Sequence, residues 1–207
     1  MKQLIRLEPT DERLRTVCED IPLSEFRLKN TQETIDTLLD FVYARNNKGG
    51  EHDRKKPTII GLSANQVGIM KRICIVDLAI RRKGQSEIHV MINPHILWRS
   101  KTIVQRMEGC VNLPGIWGFV PRSVKIDVEY FDRWGNKYQM RATGWGATLI
   151  QHEVDHLEGA LYIDHLPDPT KALSVSERDY VAYKKDPKAW KKYVDITNLL
   201  QKRKKDH

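Results

Sequence analysis

The spacing of apolar residues changes along the chain and predicts a helix, then strands, then a second helix. Residues 30 to 47 carry apolar side chains at intervals of three and four, which places them on one face of an α-helix. These positions are Ile35, Leu38, Leu39 and Val42. Residues 46 to 58 are polar, contain adjacent glycines and include a proline, so they predict an exposed loop.

Short segments rich in β-branched residues follow the loop and predict strands. They comprise residues 72 to 80, 88 to 98, 124 to 132 and 137 to 144. Only the sequence Arg-Trp-Gly-Asn, residues 133 to 136, separates the last two segments. This short connection with a glycine predicts an antiparallel hairpin.

The helical period returns between residues 146 and 159. Leu149, His152 and His156 fall near one face at helical spacing, and Gly159 predicts the C-terminal end of this helix. An early helix, several antiparallel strands and one central helix form an α+β pattern rather than alternating β-α-β units. We therefore expect antiparallel strands packed around this central helix.

The C-terminal residues predict a further helix with an uneven charge. Asp186 and Pro187 are arranged like a cap and a first turn for residues 187 to 204. Residues 184 to 207 contain nine Lys and Arg against three Asp, in a chain with a net charge of +8. A solvated helix surface explains this charge, and contact with a polyanion such as ribosomal RNA is the alternative. We expect a main domain over residues 1 to 166 and a basic C-terminal helical extension over residues 167 to 207, packed on the domain or trailing from it.

Composition narrows the class of protein further. The chain has 207 residues, of which 40% are hydrophobic and 30% are charged. This length and composition are typical of one globular domain with an appended helix. It has no apolar run near the roughly 18 residues that span a bilayer, and its charged start does not resemble a signal peptide. The three cysteines are odd in number and scattered, which favours a reducing compartment. We expect a cytoplasmic protein with no membrane partner and no sequence-specific nucleic acid.

The candidate chemistry lies in Gln-His-Glu-Val-Asp-His-Leu-Glu-Gly, residues 151 to 159. His152 and His156 are four residues apart, so on a helix their imidazole rings are neighbours that can bind one divalent ion. Glu153 is one step round the helix and can accept a proton from a water on that ion. The central helix is therefore predicted to be a metal-binding helix.

A catalytic site of this kind needs a third protein ligand. The zinc-protease pattern that continues from such a pair expects a histidine at position 162, where this chain has a tyrosine. Glu177 is a downstream carboxylate of the kind that zinc peptidases use. Cys110 offers a thiolate, which is a stronger ligand, and the adjacent Gly109 gives the backbone room to approach the ion. From these residues alone, both candidates stay open.

Three separated motifs resemble those of the peptide deformylases, in the same order and at similar separations. They are Ile-Gly-Leu-Ser-Ala-Asn-Gln-Val-Gly at 60 to 68, Glu-Gly-Cys-Val-Asn-Leu-Pro-Gly at 108 to 115, and residues 151 to 159. Residues 11 to 21 and 120 to 122 are also similar, and the resemblance extends over about residues 5 to 166. Departures from the usual motifs are Ile59 in place of a first glycine, Ser63, Asn65, Val111 and Asn112.

The resemblance implies an activity and a metal. Peptide deformylases are hydrolases of protein biosynthesis that remove the N-terminal formyl group from nascent chains beginning with formyl-methionine. They use one divalent ion, commonly Fe(II), with Zn(II), Ni(II) or Co(II) able to occupy the site. Carried to this chain, the resemblance makes Cys110, His152 and His156 the metal ligands. Two alternatives are a zinc-type metallopeptidase, and a catalytically weak relative that contacts the ribosome or RNA through the basic C-terminal segment.

The resemblance also implies roles for other residues. Glu153 shuttles a proton to the leaving amine, while the Gln66 side-chain amide and the Val111 backbone N–H donate to the developing oxyanion. Gly61 lets the backbone approach the peptide closely. The residues expected to line the methionine pocket are Ile59, Ile60, Trp145 and Leu149. We also predict an ion pair between Glu108 and Arg122 that braces the cysteine loop, and a supporting role for Gln151.

Overall fold

The chain forms two antiparallel sheets and a central helix. The computed structural model describes residues 4–44, 59–79, 86–176, 178–186 and 189–200. The helices are α1 (Lys29–Ala44), α2 (Gly144–Leu157) and the short α3 (Tyr180–Lys185). The strands are β1 (Gly61–Ser63), β2 (Ile73–Asp77), β3 (Ile88–Arg99), β4 (Ile103–Cys110), β5 (Leu113–Ser123), β6 (Lys125–Phe131), β7 (Lys137–Thr143), β8 (Ala172–Ser174) and β9 (Tyr193–Val194).

One sheet has the strand order β1-β2-β3-β6-β7, and the other has the order β4-β5-β8-β9. Helix α2 contacts strands of both sheets, and ten of its 14 residues are buried. Its apolar side chains join those of β2, β3, β6 and β7 in one core cluster. Because α2 is covered on several sides, polar side chains that project from it toward the second sheet are also removed from water.

Glycine ends α2, as the sequence predicts. Gly159 has φ +72°, a left-handed conformation that side chains with a Cβ rarely adopt. A Cβ at this position would also lie 2.7 Å from the Arg15 backbone oxygen. In addition, the Cys18 N–H donates to the Leu157 carbonyl at 2.8 Å. The N-terminal residues therefore pack directly against the C-terminal end of α2.

The α+β class, the early helix, the four strands and the β6–β7 hairpin are confirmed, with element ends that differ by at most three residues from those predicted. The sequence did not predict β1, β4, β5, β8 or β9. The polar loop predicted at 46 to 58 lies outside the described residues. Among the residues that the structure covers, no helix combines the length and apolar character that a bilayer crossing requires.

The helical extension predicted over residues 187 to 204 is wrong for its described part, residues 189 to 200. This part contains β9 and a short 3₁₀ turn at Thr197–Leu199, and the helix in this region is α3 instead. The physical reason is pairing with the rest of the molecule. Strand β9 pairs with β8, and the Trp190 indole N–H donates to the Ser174 carbonyl at 2.9 Å. These contacts outweigh the helix propensity of the lysine-rich sequence. The domain boundary at residue 166 stays a prediction.

Candidate active site

Cys110, His152 and His156 converge where β4 ends against α2. One potential ligand atom from each residue lies within 4.8 Å of those from the other two. The Cys110 Sγ is 3.4 Å from His156 Nε2, and the two imidazole rings are 5.0 Å apart. The β4–β5 pairing shifts register between Gly109 and Cys110. A Cβ on Gly109 would lie 2.7 Å from the Trp117 ring, so a glycine is required there for the two strands to pack.

A buried ion pair orients His152. The His152 Nδ1 lies 2.8 Å from Glu108 Oε2, which leaves the other ring nitrogen to face the thiol. Arg122 holds the same carboxylate through two hydrogen bonds of 2.7 and 2.9 Å, and also reaches Asp155 at 2.5 Å. Burial opposes ionisation, but hydrogen bonds from Arg122 and His152 lower the pKa of Glu108 below its ordinary value. The predicted Glu108–Arg122 pair is confirmed, and its contact with His152 is an addition that sequence reasoning missed.

Glu153 is enclosed beside the histidines. Burial raises the pKa of its carboxyl to about 7, although His152 and a hydrogen bond from Ser63 act in the opposite direction. The Ser63 hydroxyl lies 2.8 Å from Glu153 Oε2 and 2.8 Å from the Glu153 backbone oxygen, so it can donate to either. A Cβ on Gly61 would lie 2.3 Å from Glu153 Oε1 and 2.7 Å from Leu149 Cδ1. The missing side chain of Gly61 therefore makes room for this carboxylate.

Gln66 lies in the turn after β1 and faces the sulfur of Cys110. Its Oε1 accepts from the Ser63 N–H at 2.7 Å, which fixes the orientation of the amide. The Nε2 then donates to the Cys110 sulfur at 3.2 Å and to Asn112 Oδ1 at 2.9 Å. Asn112 was not predicted to take part, and it is itself held by a hydrogen bond to the Leu7 carbonyl at 2.8 Å.

A cleft of about 670 Å³ opens over these residues. All of the predicted pocket residues line it: Ile59, Ile60, Gly61, Trp145 and Leu149. Val111 also lines the cleft, and its carbonyl accepts a hydrogen bond from Arg6 at 2.9 Å. The cleft further includes Val175, Ser176 and Tyr180, which no sequence motif indicated.

Gln151 and Tyr162 lie close to the candidate site but do not line the cleft. The Gln151 amide donates to Ser123 and Ala147 carbonyls at 3.0 and 2.9 Å, so it joins α2 to β5. Tyr162 stacks on His152 at 5.8 Å and donates its hydroxyl proton to the Ile116 carbonyl at 2.9 Å. Glu177, the alternative third ligand, lies outside the described residues.

The clustered residues suit a divalent metal ion. A thiol and two imidazoles are the donor set that borderline ions such as zinc and iron bind in proteins. Cys110 forms no disulfide and lines the cleft, while His156 turns its Nε2 to the sulfur. No other polar atom of the described residues lies within hydrogen-bonding distance of His156 Nδ1. Cys110, His152 and His156 are therefore the residues that can hold a metal in the described part of the chain.

Comparisons with known proteins agree with this geometry. The family model described as polypeptide deformylase matches residues 4–172. A peptide deformylase of Stenotrophomonas maltophilia (strain K279a) is 39% identical over 172 residues, covering 83% of this chain and 91% of that protein. A peptide deformylase of Blochmanniella pennsylvanica is 36% identical over 168 residues, 81% of this chain and 86% of that protein.

Solved structures give the same result. A probable peptide deformylase from Synechococcus phage S-SSM7 superposes with a TM-score of 0.66 at 32% identity, covering 79% of this chain and 99% of that one. Peptide deformylase from Thermotoga maritima superposes with a TM-score of 0.67 at 27% identity, covering 80% of this chain and 99% of that one. The family match includes both histidines, the cysteine and the glutamate between the histidines. This chain therefore belongs to the peptide deformylase family.

Proposed function

We propose that the protein removes the N-terminal formyl group from formyl-methionyl polypeptides, releasing formate. The observation that carries this proposal is the enclosure of Glu153 beside a group of three metal-binding residues, at the base of a cleft with an apolar lining. Nascent chains that begin with formyl-methionine are the proposed substrates. The cytoplasm is the proposed location, and the basic C-terminal segment is the proposed contact with the ribosome.

Cys110, His152 and His156 would hold one divalent ion. Fe(II) is the ion proposed in the cell, and Zn(II), Ni(II) or Co(II) also suit this donor set. When bound, such an ion acts as a Lewis acid that polarises a carbonyl and makes water a nucleophile near neutral pH. Glu108 would keep His152 in the orientation that ligation requires, because it accepts from the opposite ring nitrogen.

Glu153 is proposed as the proton carrier of the hydrolysis. The reaction breaks the bond between the formyl carbon and the amine nitrogen, adding a hydroxyl group to the carbon and a proton to the nitrogen. Glu153 takes a proton from water and delivers it to the leaving amine. A carboxyl group with a pKa of about 7 can do both near neutral pH, because neither protonation state is strongly favoured.

The negative charge that develops on the formyl oxygen needs donors that are fixed before the reaction. We assign this role to the Val111 backbone N–H and to the Gln66 Nε2, whose hydrogen on the Cys110 sulfur would bond the formyl oxygen instead. Ser63 keeps the Gln66 amide in one orientation, since its N–H donates to the amide oxygen. Ile60, Gly61, Trp145 and Leu149 are the proposed contacts of the methionine residue in the cleft.

The test combines metal analysis with a formate-release assay on a formyl-methionyl peptide, both under anaerobic conditions. We expect one divalent ion per chain and formate release, with both lost in Cys110→Ser and His156→Ala. His95→Ala is the matched control, because this histidine is half-exposed and lies at the surface beside Asp20. Full metal content and full formate release in Cys110→Ser would contradict the proposal.

A further inference from the structure

One wall of the cleft comes from residues beyond the part that matches the family model. The match ends at residue 172, whereas Val175, Ser176 and Tyr180 line the cleft. We call these three residues the C-terminal wall. They stand in the same cleft as Cys110 and Glu153, beside Ile116 and Trp117 of β5. The family match by itself therefore does not predict this wall.

Backbone contacts fix the C-terminal wall against β5. Strand β8 pairs with β5 at Ile116 and Trp117, and the Val175 N–H donates to the Gly115 carbonyl at 2.8 Å. Gly115 has φ +76°, and a Cβ there would lie 3.2 Å from the Val175 oxygen. The glycine therefore permits both the backbone turn and the close approach of the wall.

Aromatic side chains support the wall from behind. The Trp117 ring is 6.2 Å from Tyr180 and 5.8 Å from Tyr183, and Tyr183 lies 6.0 Å from Trp190. Tyr183 is buried, whereas Tyr180 at the cleft has 42% of its surface exposed. Tyr180 therefore presents an accessible ring that rests on a packed aromatic base.

The cleft lining is continuous from the candidate site to the C-terminal wall. The described charged side chains that line the cleft are Arg6, Glu108, His152 and Glu153. Arg6 is hydrogen-bonded to the Val111 carbonyl, Glu108 to Arg122, and the other two belong to the candidate site. Around the wall the lining is mainly apolar, from Pro114, Ile116, Trp117, Val175 and the Tyr180 ring. Apolar side chains gain most from contact with such a surface.

We propose that the C-terminal wall contacts the side chains of the second and third substrate residues and favours apolar or aromatic ones. This inference rests on the proposed deformylase function. A substrate with its formyl carbon at Glu153 and its methionine against Trp145 and Leu149 sends its following residues along the rest of the cleft. There the rings of Trp117 and Tyr180 form a surface that a substrate glycine cannot contact, because it has no side chain.

The experiment compares kcat and KM for formyl-Met-Gly-Gly and formyl-Met-Phe-Phe amides. We expect kcat/KM of the metal-loaded enzyme to be about tenfold higher for the Phe peptide, a typical gain from one aromatic contact. In Tyr180→Ala this ratio should fall to near one, through a higher KM for the Phe peptide. Tyr180→Phe should keep the ratio, because it keeps the ring. Tyr193→Ala should also keep it, because Tyr193 is a half-exposed tyrosine of β9 outside the cleft.

A second readout does not depend on turnover. Calorimetric binding of the product peptides Met-Phe-Phe and Met-Gly-Gly should show the same preference, and the same loss in Tyr180→Ala. A preference that survives in Tyr180→Ala, or an equal loss for both peptides, would overturn the inference. Absence of formate release from either peptide by the wild-type protein would instead contradict the proposed function. Thermal melting of each variant confirms that the comparison is made between folded proteins.

Discussion

Two carboxylates, Glu108 and Asp179, each form an ion pair, but they do so in contrasting surroundings. Glu108 and Arg122 each have only 4% of their side chains exposed, and the pair also holds His152. Asp179 and Lys192 pair at 2.9 Å with 26% and 60% of their side chains exposed. The first pair lies behind the candidate metal ligands, and the second lies beside the C-terminal wall.

The two regions are held by different forces. Breaking a buried pair leaves a charge that water cannot reach, whereas an exposed pair is screened and contributes little. The candidate site therefore depends on its charges and hydrogen bonds. The C-terminal wall depends on strand pairing and on the packing of its aromatic rings. Substitutions of polar groups should have large effects in the first region and small effects in the second.

The largest effect is expected at Glu153. Glu153→Gln removes the proton carrier but preserves the shape of the side chain and the room that Gly61 provides. We expect kcat for formate release to fall about 10²- to 10⁴-fold, the usual contribution of general acid–base catalysis. Metal content should equal that of the wild type, as measured by elemental analysis. Retention of a tenth of the activity would show that another group carries the proton.

A large loss of stability is expected for Arg122→Met, because it leaves Glu108 buried without its cation. The expected loss in the free energy of unfolding is about 3–5 kcal/mol, measured by denaturant titration. The double variant Glu108→Gln, Arg122→Met should recover part of the stability. Its metal affinity should remain about 10- to 100-fold below that of the wild type, because His152 lacks its carboxylate partner. Arg141→Met, at an exposed ion pair, is the matched control and should melt like the wild type.

Gly61→Ala tests how tightly the carboxylate is enclosed. The added Cβ would displace Glu153 or Leu149, and a displacement near 1 Å can cost about 100-fold in kcat. Gly146→Ala provides the matched control in α2, since the nearest atom to its Cβ would be Leu78 Cδ2 at an ordinary 3.6 Å. Equal activities of the two alanine variants would contradict the proposed placement of Glu153.

Ser63→Ala should have a smaller effect on turnover. It removes the hydroxyl that bonds Glu153 but retains the backbone N–H that bonds Gln66. Loss of one hydrogen bond to a charged group corresponds to about 1.5 kcal/mol, which is roughly a tenfold decrease. We expect the decrease in kcat rather than in KM, with metal content unchanged. An effect confined to KM would place Ser63 in substrate binding instead.

The smallest effect is expected for Asp179→Asn. The exposed position of Lys192 means that water screens this pair, while the aromatic packing beside the wall remains. The melting temperature and the preference between Phe and Gly peptides should both match those of the wild type. A marked drop in melting temperature would show that charge, rather than packing, holds the C-terminal segment.

The sequence predicted α2 and its histidines because their spacing is a local property of the chain. It did not predict β4 and β5, although these strands carry Cys110 and part of the cleft lining. Strand β5 contains two glycines and two prolines, which interrupt the β-branched pattern that identifies a strand. The C-terminal helix was predicted wrongly, because pairing of β9 with β8 is a long-range contact that local spacing does not encode.

The candidate site shows the same limit. The metal-binding group was expected through the resemblance of three motifs, since no local pattern distinguishes Cys110 from Glu177. The contacts that orient it join distant residues: Ser63 bonds Glu153 90 positions away, and Glu108 bonds His152 44 positions away. The residue types of Ser63 and Glu108 do not by themselves indicate which distant residues they contact. Only the folded arrangement gives them these partners.

Ser63, where the turn begins, contacts two groups that have different proposed roles. Its hydroxyl contacts the group proposed to move the proton, and its backbone N–H contacts the group proposed to receive negative charge. A shift of this turn therefore displaces both groups together. A substitution that moves the backbone here would disturb both contacts, whereas Ser63→Ala removes only one, and double substitutions at Gln66 and Glu153 should be strongly non-additive.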